Sequence, residues 1–187
     1  MNENQFTDYF IKKLDLDISP LLIETRKSVL YEMAIDDKGR VDMGVDSDTG
    51  EPVRGGGKGF QQDILIYEET IDGNTSIIPR VIAEVKLRNV TTHDTIVYSE
   101  KAKRIKRIYP FVRFGLILAE IQTIPGRVLR LGECFDFIHT IKNPPSSSEI
   151  KRCRSLFNSE IRISRELSKM LFHGKKIKSL RRIIQIK

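Results

Sequence analysis

At 187 residues the chain suits one compact domain, and its hydrophobic share of 40% beside a charged share of 30% excludes a disordered or fibrous polypeptide. Thirty-two Lys and Arg against 25 Asp and Glu give a net charge of +7 and a pI near 9.4, which favours polyanions without separating nucleic acid from an anionic surface. No apolar run reaches the ~18 residues that a membrane span requires, so no membrane insertion is expected.

The start, MNENQFTDYF, lacks the basic and apolar stretches of an export signal, so a cytoplasmic location is expected. Phe6, Phe10 and Leu14 recur at intervals of four and predict a helix from Glu3 to Leu14. Pro20 breaks the pattern, and a second short helix is expected from Leu21 to Lys27. The period of residues Ser28 to Ile35 fits strand or helix. Asp36 to Lys58 is turn-rich and ends in Gly55-Gly56-Gly57-Lys58-Gly59, an extended loop of a length that is often functional.

Gln62 to Tyr67 reads as a strand, Asp72-Gly73-Asn74 as a hairpin turn, and Pro79 to Leu87 as a second strand beside the first. Thr91 to Ile108 is a helix capped by Thr91 or Thr92, with Asp94 in its first turn. Phe114 to Ala119 is a continuously apolar strand of the kind buried on both faces. Arg127 to Leu131 and Phe135 to Ile138 read as short strands, residues 143–148 as a loop, and Glu149 to Phe172 as a long helix followed by a basic tail. Cys134 and Cys153 lack metal-type spacing and are expected to be reduced and structural. The order of elements predicts an α/β domain over residues 1–187, with a central mixed sheet flanked by helices. Its catalytic core is expected at about residues 20–140, and its C-terminal helix and tail at about 147–187.

Residues two apart on a strand share a face, so Glu84 and Lys86 point one way while Val81, Ala83, Val85 and Leu87 point into the core. Asp63 opens the neighbouring strand, and the turn between the two can bring it toward Glu84 and Lys86. Two carboxylates converging at a strand end suit Mg²⁺, with Mn²⁺ as a substitute, because magnesium takes few protein oxygens and leaves positions for water and phosphate. A Glu–Lys pair on a solvated strand edge is the plainer reading, and it is worth little energetically.

Gln62-Asp63, then Glu84-Val85-Lys86, a basic helix and the strand FGLILA resemble, over roughly Gly55 to Glu120, the PD-(D/E)XK nuclease superfamily, which includes many restriction endonucleases. The resemblance implies a restriction-endonuclease-like core, Asp63 and Glu84 as metal ligands, Lys86 as catalytic lysine, and Mg²⁺-dependent hydrolysis of DNA. Gln62 departs from the motif by standing where its proline would be. The superfamily often adds an acid from an N-terminal helix, for which Glu24 and Glu32 are both candidates. Its following helix commonly supplies a polar or basic residue, so Lys101 is expected in the site, with Tyr98 and His93 near it. His93 and Asp94 also fit a simple helix cap.

Arg54, Lys58, Lys103, Arg104, Lys175 and Lys176 are candidate DNA contacts, and a solvated basic face or a plain linker explains them equally well. The glycine run lacks the Gly-Lys-Ser/Thr ending of a phosphate loop. Double-strand cutting would call for a homodimer, and the short chain leaves room for a separate recognition subunit. The alternatives are an inactive nucleic-acid-binding module of the same fold, a repair or recombination nuclease, and an adaptor whose basic surface meets an acidic partner.

Overall fold

The computed structural model describes residues 1–16, 20–32, 34–35, 41–42, 58–69 and 77–173, with Glu32, Ala34, Ile35, Val41, Asp42 and Lys58 described in their backbone only. The loop candidate Arg54, the hairpin turn at Asp72-Gly73-Asn74 and the tail residues Lys175 and Lys176 lie outside these residues. Among them is a mixed five-stranded sheet with helices on both faces.

Helix α1 (Glu3–Leu14) forms as its spacing predicts. Asn2 and Gln5 close a capping box at its start, and Phe6, Phe10 and Leu14 are fully buried along one stripe. The expected helix at Leu21 to Lys27 does not form. Leu22–Glu24 is strand β1, an edge strand paired antiparallel with residues Leu65–Tyr67 so that Ile23 faces Ile66. A seven-residue helix is marginal alone, and β-branched Ile23 and Thr25 favour the strand once a sheet edge is offered. Arg26, at φ 57°, turns the chain into β2 (Lys27–Glu32), which resolves the open reading of that stretch as strand.

Strand β3 (Ala34–Ile35) pairs with β4 (Val41–Asp42), and β2 pairs antiparallel with β5 (Lys58–Gln62), making a ribbon beside the main sheet. After a bend at Asp63 the chain enters β6 (Ile64–Glu69), which runs antiparallel to β7 (Ile77–Leu87). Helix α2 (Thr92–Ile108) then crosses over to β8 (Arg113–Ala119), parallel to β7. Thr91 and Asp94 form the capping box of α2.

The expected strand at Arg127 to Leu131 is instead the short helix α3 (Gly126–Leu131). Its Leu and Arg content suits a helix, and Pro125 leads in while Val128 anchors it in the core. Strand β9 (Phe137–Ile141) lies parallel to β8 and begins later than the expected Phe135, whose ring stacks on Phe114 instead. Helix α4 (Ser147–His173) closes the described fold. The main sheet has the order β1-β6-β7-β8-β9.

Alternation along the strands sorts the core. Ile64, Ile66, Val81, Ala83, Val85 and Ile117 meet Phe6 and Phe10 of α1 and Phe157 and Ile161 of α4. On the opposite face Leu65, Tyr67, Ile82 and Phe114 meet Ala102 and Ile105 of α2. Glu84 and Lys86 follow Ile82 on this second face, so α2 lies above them. No helix among the described residues is long and apolar enough to cross a membrane.

Candidate active site

Four of the expected residues converge where β5 ends and α2 covers β7. Asp63 sits at the bend between β5 and β6, and its Oδ2 accepts a hydrogen bond from the Val85 backbone N–H at 2.8 Å. That bond fixes Asp63 beside the residue that precedes Val85, Glu84. Glu84 is only 2% exposed, unlike the glutamate of a solvated strand edge.

The cation that meets Glu84 is Lys101, itself 8% exposed, whose Nζ donates to Glu84 Oε1 and to the Gln61 backbone carbonyl at 2.5 Å. Burial raises the Glu84 carboxyl and Asp63 adds to the rise. Lys101 opposes both, and the group is held at about 8. Buried Glu84 and Lys101 thus meet beside the half-buried Asp63.

Lys86 is held differently. Its Nζ lies 3.4 Å from Glu3 Oε1, 3.9 Å from Asp94 Oδ1 and 5.4 Å from the Tyr98 ring centroid. Burial acts to lower its pKa, and Tyr98, Glu3 and Asp94 outweigh that, so the amine stays charged. Tyr98 lies half-buried beneath the two lysines, and desolvation lifts its phenol to about 12 despite Lys86. It therefore serves as a neutral platform. Asp94 does more than cap. Burial acts to raise it, and its bonds from Thr91 together with Lys86 and His93 hold it below the usual carboxylate range.

Other expected residues are placed elsewhere. Glu24 accepts from Lys27 at 3.1 Å and from the Tyr67 hydroxyl, which engages it on β1. Glu32 and Lys58 lie on the ribbon, with side chains outside the described residues. His93 is exposed on the first turn of α2. Lys103 and Arg104 are exposed and reach Glu100 at 3.9 and 3.0 Å, a pairing typical of a solvated helix face.

The acid of the N-terminal helix that reaches the site is Glu3, which sequence reading passed over. Its second oxygen accepts from the Leu87 backbone N–H at 3.2 Å. The pair Glu3 and Lys86 is separated by 83 residues. The only local signal was an acid in the first turn of α1, which helix-dipole preference already explains. Gln61 and Phe60 were missed for a related reason, since one contributes a backbone carbonyl and the other a ring face beneath Lys101.

Among the described residues no group of three or more His, Cys, Asp or Glu forms a ready metal cage. Magnesium does not require one, because one or two carboxylates with water and substrate phosphate suffice. Asp63 and Glu84 are the pair that could take such an ion, which would relieve the pressure of Asp63 on buried Glu84. The chain matches no family model and no curated protein.

Proposed function

We propose that the protein is a Mg²⁺-dependent endonuclease that hydrolyses DNA phosphodiester bonds, built on a restriction-endonuclease-like core of the PD-(D/E)XK kind. The observation that carries this reading is the convergence of Asp63, buried Glu84 and charged Lys86 beneath one helix, in the order that the sequence resemblance implies. The antiparallel β6–β7 pair followed by parallel β8 and β9 supports that core.

In this reading Asp63, at the bend before β6, and Glu84, within β7, would hold the cation through their carboxylate oxygens. A magnesium ion held there would supply Lewis-acid polarisation of a phosphoryl oxygen and lower the pKa of a water. Lys86 supplies fixed positive charge where negative charge grows in the transition state, and Glu3 with the Tyr98 ring aims its ammonium. Preset orientation of that kind removes the cost of arranging the group during reaction. The +7 net charge favours the polyanionic substrate, and exposed Lys103 and Arg104 of α2, which pair with Glu100, are the candidate backbone contacts.

The test is cleavage of supercoiled plasmid by the purified protein in Mg²⁺ or in EDTA, beside an Asp63→Ala variant shown to be folded. Nicking or linearisation that needs Mg²⁺ and disappears in the variant supports the reading. Binding of DNA with no cleavage in Mg²⁺ or Mn²⁺ favours the inactive binding module instead.

A further inference from the structure

The position of Lys101 raises a question that the motif leaves open. Its ammonium holds the same carboxylate that the proposed metal would need. Two cations a few ångströms apart in a buried place repel strongly, so Lys101 and a divalent ion are rivals for Glu84. Lys101 also has a second set of contacts that exclude Glu84. These are the Gln61 carbonyl at 2.5 Å, the Phe60 ring at 5.6 Å and the Tyr98 ring at 5.9 Å.

Phe60 and Gln61 both lie on β5 of the ribbon. Phe60 stacks on Tyr31 with centroids 3.7 Å apart, and the Arg104 guanidinium lies 5.8 Å from the Tyr31 ring, one turn along α2 from Lys101. The ribbon formed by β2 and β5 is thereby pinned to α2 at the point where Lys101 leaves the helix. A lysine with three donors and a flexible stem can give up one acceptor while keeping another.

We propose that Lys101 is a built-in counter-cation that competes with the divalent metal for Glu84. Metal binding releases Lys101 from that carboxylate onto the Gln61 carbonyl and the Phe60 ring. The inference rests on the metal site proposed above and assigns to Lys101 control of metal affinity. The ribbon acquires a role as well, because Gln61 and Phe60 decide where the released ammonium rests.

The test uses the intact protein and two readouts other than cleavage. Mn²⁺ binding is followed by electron paramagnetic resonance for the wild type, Asp63→Asn and Lys101→Met, from pH 6.5 to 9. In parallel, acylation of Lys101 by an amine-reactive ester is quantified by mass spectrometry with and without Mg²⁺, with exposed Lys103 as reference. Loss of the Glu84 contact leaves the Lys101 amine less engaged and more accessible to the ester. Severalfold faster labelling of Lys101 in Mg²⁺ is therefore expected, with Lys103 unchanged and no effect in Asp63→Asn.

At the upper end of the pH range, where proton competition fades, Lys101→Met is expected to bind Mn²⁺ roughly tenfold more tightly than wild type. A purely structural lysine would move neither readout. Mn²⁺ binding that Asp63→Asn abolishes, joined to unchanged Lys101 labelling, overturns the competition and leaves the metal site standing. Absence of Mn²⁺ binding in wild type and Lys101→Met alike overturns both. Labelling of the unmutated chain decides the matter if Lys101→Met does not fold.

Discussion

A buried acid that titrates near 8 must leave a mark on stability. The Glu84 carboxyl is held at about 8 against 4.5 for an ordinary glutamate, chiefly by burial. Between those two values the folded chain binds a proton that the unfolded chain has released, so stability falls as pH rises through the window. Each pH step costs about 1.4 kcal/mol at full difference, so the loss from pH 5 to pH 8 is on the order of 3–5 kcal/mol. The ordinary carboxylate contributions, from Glu68, Asp94 and Glu149 with lowered values, are lost only as pH falls into the acid range. The Tyr67 and Tyr98 phenols titrate above the window.

Urea unfolding in EDTA at half-unit pH intervals measures the slope directly. Glu84→Gln mimics the protonated acid, so it should match wild type near pH 5 and exceed it by about 3 kcal/mol at pH 8. Mg²⁺ at a hundred times its dissociation constant should return about 2.7 kcal/mol to wild type at pH 8 and far less to the variant. Equal slopes in wild type and Glu84→Gln would refute the reasoning, since the proton would then belong to another group.

Three further outcomes are expected. Glu3→Gln keeps an acceptor for the Leu87 amide but loses the charge facing Lys86, so cleavage should slow on the order of ten- to a hundredfold with the circular dichroism spectrum unchanged. Gly115→Ala should destabilise the fold by about 1–3 kcal/mol in chemical unfolding, because its Cβ would stand 2.2 Å from the buried Phe137 ring. Thr91→Ala removes the hydroxyl that caps the Asp94 amide at 3.0 Å, and should cost about 1 kcal/mol and lower Tm by roughly 2–4 °C in a calorimetric scan.

The parts of the fold legible in the sequence are those with local causes. The i, i+4 stripe of α1, the Thr91–Asp94 cap of α2 and the apolar run of β8 each specify their element without outside help. β1 and α3 were misread because their state is set by neighbours. Three residues become a strand when β6 offers an edge, and six become a helix when Val128 finds the core. The candidate site divides in the same way. Asp63, Glu84, Lys86 and Lys101 follow from strand alternation and from the motif resemblance. Whether Lys101 meets Glu84, and whether Glu3 meets Lys86, depends on how α2 and α1 lie on the sheet. Asp94 caps α2 through one oxygen while the other faces Lys86, so one residue serves helix start and site together.

The central claim is tested most directly by single-turnover cleavage of an end-labelled DNA duplex in Mg²⁺, comparing wild type with a folded Lys86→Ala variant. The account predicts cleavage by wild type that EDTA abolishes, and a loss of at least a hundredfold when the Lys86 ammonium is removed. Cleavage that persists at the wild-type rate in Lys86→Ala would contradict it.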